Sequence, residues 1–130
     1  MVVEGMLGSI RSLIALFRVH RWRHARDFSN VRTWGRAEEL FACGRLDRIF
    51  LWPPELGGKD LPSNICFVPR KAARLKTLVD GTVMAHMREG RICRYTALPE
   101  YKGGSFIPAR IVIKAWKSDK QASTSIIEIW

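Results

Sequence analysis

The first apolar pattern along the chain is helical. Near the start, apolar residues recur at steps of three and four: Met6, Leu7, Ile10, Leu13, Ile14 and Phe17. This spacing places one apolar stripe along a helix, flanked by Arg11 and Arg18. The pattern therefore predicts an N-terminal helix. Three destinations for the stripe stay open: the core of the domain itself, the groove of a partner protein, or a membrane surface.

From residue 34 onwards, short helical and strand-like runs follow one another. The predicted elements are, in chain order, a helix Arg36–Cys43, a strand Leu46–Trp52, an apolar run Ile65–Val68, a long helix Pro69–Glu89, and strands Arg91–Leu98, Phe106–Trp116 and Ser123–Trp130. Pro53-Pro54 ends the first strand, and Gly90 ends the long helix. In the loop PEYKGGS we expect Gly103 or Gly104 to adopt a positive φ.

These elements predict an α+β fold. The alternation in the last strands is partial, as in antiparallel strands with one face against a helix, and the short connections favour a meander. We expect a small antiparallel sheet packed by one main helix, with an N-terminal helix and basic arm in residues 1–33 and a compact domain in residues 34–130. The expected core residues are Ile49, Leu51, Ile65, Phe67, Leu75, Leu78, Val83, Ile92, Ile111, Ile113, Ile127 and Ile129.

The charge of the chain points to an anionic partner. Its 130 residues carry 22 Lys and Arg against 12 Asp and Glu, a net charge of +10. Such a balance indicates a polyanion or an acidic protein as the partner. The charge is concentrated in a stretch that we call the Arg-rich arm, which contains Arg11, Arg18, Arg21, Arg23, Arg26, Arg32 and Arg36. Asp27 is the one acidic residue among them.

Two interpretations of the Arg-rich arm stay open. Trp22, Phe28 and Trp34 lie between the arginines, and arginines with intervening aromatics suit phosphate contacts and base stacking in single-stranded nucleic acid. The same charge suits the acidic groups of a protein partner. Because clustered arginines repel one another unless an anionic surface meets them, we expect a partner interface here. Its expected residues are Arg18, Arg21, Trp22, Arg23, Arg26 and Arg32.

Motifs for catalysis, metals and cofactors are weak. Cys43, Cys66 and Cys93 are odd in number and widely spaced, which predicts reduced, buried thiols of a cytoplasmic protein rather than disulfides or zinc ligands. His86 falls near the edge of the apolar face of the long helix, where a structural or half-exposed histidine is expected. No apolar run approaches the roughly 20 residues of a transmembrane helix. The Gly-Gly pairs lack the spacing of phosphate loops, and we expect no metal and no cofactor.

The landmarks between Leu46 and Trp116 have the spacing of a known family. The sequence LGGKD, residues 56–60, looks like its Gly-Gly loop, Asn64 falls where its metal-binding Asn lies, and Asp80 takes the place of a helical acidic residue. Tyr101–Pro108 is similar to its turn between strands. On these residues the chain resembles the C-terminal half of bacterial DNA/RNA non-specific endonucleases, which occur as toxin domains with a ββα-metal site of the His-Asn type.

The chain departs from that family at the catalytic histidine. Counting back from the Gly-Gly loop, Phe50 holds its position. In this class of nuclease the histidine takes a proton from the attacking water, while the metal stabilises charge on the phosphate. Because phenylalanine transfers no proton, we expect no catalytic residues and only vestigial metal candidates in Asn64 and Asp80.

The leading functional hypothesis is a non-catalytic binding protein. We expect a cytoplasmic immunity protein that neutralises a bacterial toxin by covering its active site with a charged face. The small size, the reduced cysteines and the missing histidine favour it, and the toxin is inferred from the context of the resembled family. The alternative is a nucleic-acid-acting toxin or nuclease that uses the Arg-rich arm as a phosphate clamp.

Overall fold

The computed structural model describes residues 27–130. Its regular elements are, in chain order, helix α1 (Trp34–Ala42), strands β1 (Asp47–Phe50) and β2 (Ile65–Val68), helix α2 (Arg70–Arg88), and strands β3 (Arg94–Glu100), β4 (Arg110–Lys117) and β5 (Lys120–Glu128). Two short 3-10 turns, Pro54–Leu56 and Pro62–Asn64, lie between β1 and β2. The N-terminal helix predicted from the sequence lies outside the described residues.

The strands form two antiparallel sheets. β1 pairs with β2, whereas β3, β4 and β5 form a three-stranded meander in that order. The α+β class, the main helix and the antiparallel meander are thereby confirmed. The first two strands do not join the meander, and α2 contacts both β1 and β5. The helix therefore connects the two sheets through one shared core.

The hairpin between β4 and β5 is tighter than the sequence pattern predicts. Lys117 pairs with Lys120, so that Ser118 and Asp119 alone form the turn, with Ser118 at a φ of 56°. Residues 120–122, expected in a loop, consequently belong to β5. The hydrophobic pattern missed them because Lys120 and Gln121 are polar and exposed, whereas a strand ladder needs only their backbone groups.

The expected core is confirmed except at Leu78. The other expected core residues are buried, but Leu78 is 45% exposed. The buried side of α2 runs instead through Leu75, Lys76 and Val79. Successive helical residues turn by about 100°, which places Leu78 roughly 60° from Leu75 on the side away from Lys76. The apolar spacing assigned Leu78 to the core because it could not anticipate a buried lysine.

The prediction that the cysteines are buried is wrong for two of the three. Cys66 on β2 is buried as expected, but Cys43 and Cys93 are exposed, since they lie at the end of α1 and just before β3. His86 is fully buried, which makes it structural rather than half-exposed. Among the described residues, neither of its ring nitrogens has a hydrogen-bond partner.

The loop between β3 and β4 holds the residues that precede α1. Gly103 and Gly104 both adopt a positive φ, 61° and 71°, which confirms the expected turn. Beyond them, the Ser105 hydroxyl donates to the Phe28 carbonyl at 2.8 Å. The amide of residue 106 donates to the Val31 carbonyl at the same distance. Phe28 and Val31 are buried, so the compact unit reaches back beyond residue 34.

Gly58 allows a close approach of two backbone segments, and its replacement is predicted to be destabilising. A Cβ atom at Gly58 would lie 1.8 Å from the Trp52 carbonyl oxygen, which cannot move without breaking the loop. Gly58→Ala should lower the free energy of unfolding by at least about 2 kcal/mol. The matched control Gly81→Ala, with nothing within 4 Å of its Cβ, should raise it by about 0.5–1 kcal/mol. Urea denaturation measures both, and equal effects would contradict this account.

Candidate functional site

The position to which the nuclease resemblance assigns a histidine, Phe50, lies at the end of β1. Phe50 pairs there with Ile65 on β2, and its ring is partly buried against the core. The Arg48 guanidinium lies 5.7 Å from the ring centroid. This environment suits an apolar side chain with a cation beside it, and the phenyl ring itself cannot take a proton from water.

Asn64 uses its amide to close the loop between β1 and β2. Its Oδ1 accepts from the Trp52 amide at 2.7 Å, while its Nδ2 donates to the Trp52 carbonyl at 3.0 Å. A third bond runs from Nδ2 to the Lys59 carbonyl, also at 3.0 Å. The side chain thus replaces a backbone partner and extends the β1–β2 pairing by one residue. Both amide donors are occupied by the fold, so Asn64 has a structural role in the loop.

Asp80 belongs to a buried network with Lys76 and Tyr95. Lys76 is only 2% exposed, and its Nζ lies 2.5 Å from Asp80 Oδ2. The other oxygen, Oδ1, accepts from the Tyr95 hydroxyl at 2.5 Å. Lys76 also donates to the carbonyls of Phe50 and Leu51, each at 3.0 Å. All three ammonium donors therefore have acceptors.

The electrostatics of this network reflect its removal from water. Burial raises the pKa of the Asp80 carboxyl and lowers the pKa of the Lys76 ammonium, and the attraction between the two groups opposes both shifts. Burial also raises the pKa of the Tyr95 hydroxyl, and the neighbouring Asp80 carboxylate raises it further. Such a network stabilises one arrangement of α2, β1 and β3, because any other leaves a buried charge without its partner.

The three positions singled out by the nuclease resemblance meet at one place. Phe50 contributes its carbonyl to Lys76, which binds Asp80, and Asn64 holds the backbone two residues further on. Their polar groups are directed at the protein itself. The arrangement can fix the end of β1, but it presents neither a base nor a free carboxylate to a substrate.

The buried cysteine is not an activated nucleophile. Cys66 Sγ lies 3.4 Å from the Tyr101 hydroxyl, and burial raises the pKa of its thiol. A nucleophilic cysteine needs the opposite shift, since the thiolate is the reactive form. This thiol therefore serves packing rather than catalysis.

Of the expected interface residues, Arg32 alone falls within the described part of the chain. It is exposed, and its Nη2 donates to the Gly103 carbonyl at 3.1 Å. The guanidinium thus holds the loop between β3 and β4 to the segment before α1. The remaining expected interface residues, Arg18, Arg21, Trp22, Arg23 and Arg26, lie outside the described residues.

Two of the three aromatics in the Arg-rich arm are part of the core. Phe28 is buried and meets Trp130 edge to face, with 6.2 Å between ring centroids. Trp34 packs against Phe67 at 5.0 Å. The Phe28 ring is therefore not free to stack on a base, whereas Trp34 keeps part of its surface exposed. The sequence pattern could not separate these core aromatics from the exposed type that nucleic-acid binding requires.

The comparisons with known proteins found no relative. The chain matches no model of a protein family, and no similar curated protein or solved structure was found. Within residues 27–130, no helix has the length and apolarity that crossing a membrane requires. In the same residues, no group of three or more His, Cys, Asp or Glu side chains could hold a metal ion. The function has to be inferred from the residues themselves.

Sequence reasoning missed Lys76 and Tyr95 as members of the buried network. A signal for the first was present. Lys76 follows the apolar Leu75, lies one turn after Ala72 and is spaced by four residues from Asp80, the spacing at which helical side chains pair. A lysine and an aspartate so placed on an apolar face indicate a buried ion pair. Tyr95 carried no such signal, because its contact depends on how β3 packs against α2.

The ion pair of Lys76 and Asp80 is predicted to show strong energetic coupling. Lys76→Met and Asp80→Leu should each cost about 3–5 kcal/mol, since each leaves one buried charge unpaired. The double variant should be less destabilised than the sum of the two by about 1–3 kcal/mol. The matched control is the exposed pair of Arg36 and Glu39 on α1, whose replacement should change stability by less than about 0.5 kcal/mol. Additive effects at Lys76 and Asp80 in urea denaturation would contradict the network.

The raised pKa of Tyr95 predicts a loss of stability at alkaline pH. The unfolded tyrosine ionises near pH 10, while the folded one keeps its proton to a higher pH. Its stabilising contribution is therefore complete below about pH 10 and is lost as the pH rises further, by up to about 1.4 kcal/mol per pH unit.

Tyr95→Phe provides the measurement. The variant should be less stable than the natural chain at pH 8, and this difference should shrink at pH 11. Two other groups also affect the pH dependence: the lowered pKa of Lys76 acts in the opposite direction, and burial also raises the pKa of Tyr101. Both groups are present in both proteins, so their contributions to the difference in stability largely cancel. A difference that is the same at both pH values would show that Tyr95 does not titrate as described.

Proposed function

We propose that this chain is a non-catalytic binding protein, and that it acts as a cytoplasmic immunity protein that neutralises a bacterial toxin. The observation that carries the proposal is the use made of Phe50, Asn64 and Asp80. Phe50 provides no base, while the polar atoms of Asn64 and Asp80 bind the backbone, Lys76 and Tyr95. On this proposal, the residues at the site of a nuclease-like scaffold stabilise the fold. The protein then acts on another molecule by binding it through its surface.

The charge of the compact unit supports an acidic partner. Five of the 22 basic residues and one of the 12 acidic residues precede residue 27, which leaves 17 basic and 11 acidic residues in the described part. The positive excess is therefore not confined to the start of the chain. Long-range attraction of this kind accelerates association with an acidic protein and weakens as the salt concentration rises.

The two described aromatics of the Arg-rich arm favour a protein partner over nucleic acid. Base stacking needs exposed aromatic faces, whereas Phe28 is buried and Trp34 is partly buried against Phe67. Neutralisation would be steric, with the basic face of this chain covering the active site of the toxin. Arginines that lose their water at the centre of the contact would contribute most to its affinity.

The proposal predicts neutralisation without nuclease activity. Co-expressed with the full chain, the toxic product of a neighbouring reading frame should lose its toxicity and should purify as a stable complex. The purified chain should leave plasmid DNA and RNA intact in the presence of Mg²⁺, since a missing general base slows such a reaction by roughly 10²–10⁴-fold. Cleavage that requires Mg²⁺ and disappears in Asn64→Ala would instead support the nuclease alternative.

The contribution of the Arg-rich arm is tested in the same complex. Replacing Arg18, Arg21, Arg23 and Arg26 by Glu should abolish binding and leave the melting temperature of the chain nearly unchanged. The matched control carries the same replacement at four arginines that are exposed in the described part of the chain, Arg45, Arg70, Arg74 and Arg88. If the arm variant binds normally, the arm has no part in the interface.

A further inference from the structure

Within residues 27–130, one broad face of the meander is partly exposed. Along β4 and β5, and at Tyr95 on β3, one set of alternate residues is buried, whereas Ala97 and Pro99 of the same set are half-buried. The other alternate residues of the three strands are partly or fully exposed. We call these alternate residues the outer sheet face. It consists of Arg94, Thr96, Leu98 and Glu100 on β3, Arg110, Val112, Lys114 and Trp116 on β4, and Thr124, Ile126 and Glu128 on β5.

The strand register places an apolar row across the middle of the outer sheet face. Leu98 pairs with Val112, which pairs with Ile126. Leu98 is 60% exposed, the largest exposure among the large hydrophobic side chains of the described residues. Three aliphatic side chains in one row, with polar rows on both sides, have the layout of an interface core with its rim.

The two ends of the outer sheet face differ in charge. At one end Arg94 pairs with Trp116, its guanidinium lying 4.4 Å from the ring centroid, and Lys114 occupies the adjacent row. At the other end Arg110 lies between Glu100 and Glu128, which makes that row net negative. A surface with one basic end and an apolar centre distinguishes between partners by orientation as well as by charge.

These features favour an acidic protein as the occupant. Nucleic acid would meet aliphatic side chains in the middle row and two carboxylates at the far end, and the ring of Trp116 is already in contact with Arg94. A second copy of the chain would bring two molecules of net charge +10 together, and such charge opposes self-association. A protein with acidic residues beside an apolar protrusion fits both the row and the basic end.

We propose that the outer sheet face is a docking surface for an acidic protein, with Leu98, Val112 and Ile126 receiving apolar side chains and Arg94 and Lys114 receiving carboxylates. This rests on the proposed function as a binding protein and adds the place of contact. The face lies on β3, β4 and β5, whereas Phe50 lies on β1, Asn64 just before β2 and Asp80 on α2.

The test uses peptides as probes and the full chain as the target. Random 12-residue peptides displayed on phage are selected on the chain, and the most enriched peptide is synthesised for titration by fluorescence anisotropy. The enriched peptides should combine Asp or Glu with Leu, Ile, Phe or Trp. Leu98→Asp, and separately the pair Arg94→Glu and Lys114→Glu, should weaken the binding of that peptide at least tenfold.

Matched controls separate the outer sheet face from general effects of charge and polarity. Leu78→Asp introduces the same change at an exposed leucine on α2, and Arg45→Glu with Arg74→Glu introduces the same charge change outside the meander. Both should bind the peptide within about twofold of the natural chain, the scatter expected for substitutions away from the contact. Melting temperatures identify any variant that fails to fold, and Leu98→Ser then replaces Leu98→Asp.

Three results would overturn the docking surface. They are enrichment of peptides without acidic residues, equal loss in the control variants, and a dimer of the natural chain that Leu98→Asp abolishes in size-exclusion chromatography. The docking surface and the proposed function fail separately. If Leu98→Asp still neutralises a toxin, the docking surface is wrong and the function stands. If the peptides behave as expected and no toxin is neutralised, the surface stands and its partner is another acidic protein.

Discussion

The fold of this chain depends on one cation that has been taken out of water. The Lys76 ammonium needs three acceptors, and it finds them in two carbonyls at the end of β1 and in Asp80 one turn along its own helix. Asp80 in turn holds the Tyr95 hydroxyl on β3. One charge thereby positions the helix against both sheets. Shifting any of these elements would leave a buried donor or acceptor without a partner, which is more costly than the bond is favourable.

The sequence predicts the helices and most of the strands because their burial is periodic. It does not predict how the strands divide into two sheets, since that depends on where β1 ends. The end of β1 is fixed by Asn64, whose side chain takes the place of a backbone partner for Trp52, and no hydrophobic pattern encodes such a bond. The expectation for Leu78 was wrong for a related reason: a paired charge, here Lys76, can lie on the buried side of a helix, so that an apolar residue nearby in the sequence is exposed.

At the candidate site, the spacing of polar residues and the availability of their polar atoms are separate properties. A residue that binds a metal ion or acts on a substrate must have polar atoms that the protein itself does not occupy. Asn64 and Asp80 have the spacing of the resembled family, but backbone groups, Lys76 and Tyr95 occupy their polar atoms. The spacing of these residues was visible in the sequence. Whether their polar atoms are available was not visible, because that depends on the neighbours that folding brings next to them.

The attachment of the segment before α1 has a consequence for how tightly a partner is held. Arg32, Phe28 and Val31 are fastened to the loop that follows β3, next to the row that contains Glu100. Arg26 is separated from Phe28 by one residue, and an extended chain advances only about 3.5 Å per residue. The covalent link between this attachment point and the arginines that precede it in the sequence is therefore short. If the proposed partner contacts both the sheet and those arginines, each contact raises the effective concentration of the other. The lifetime of the proposed complex would then depend on avidity from a fixed point of attachment rather than on one strong contact.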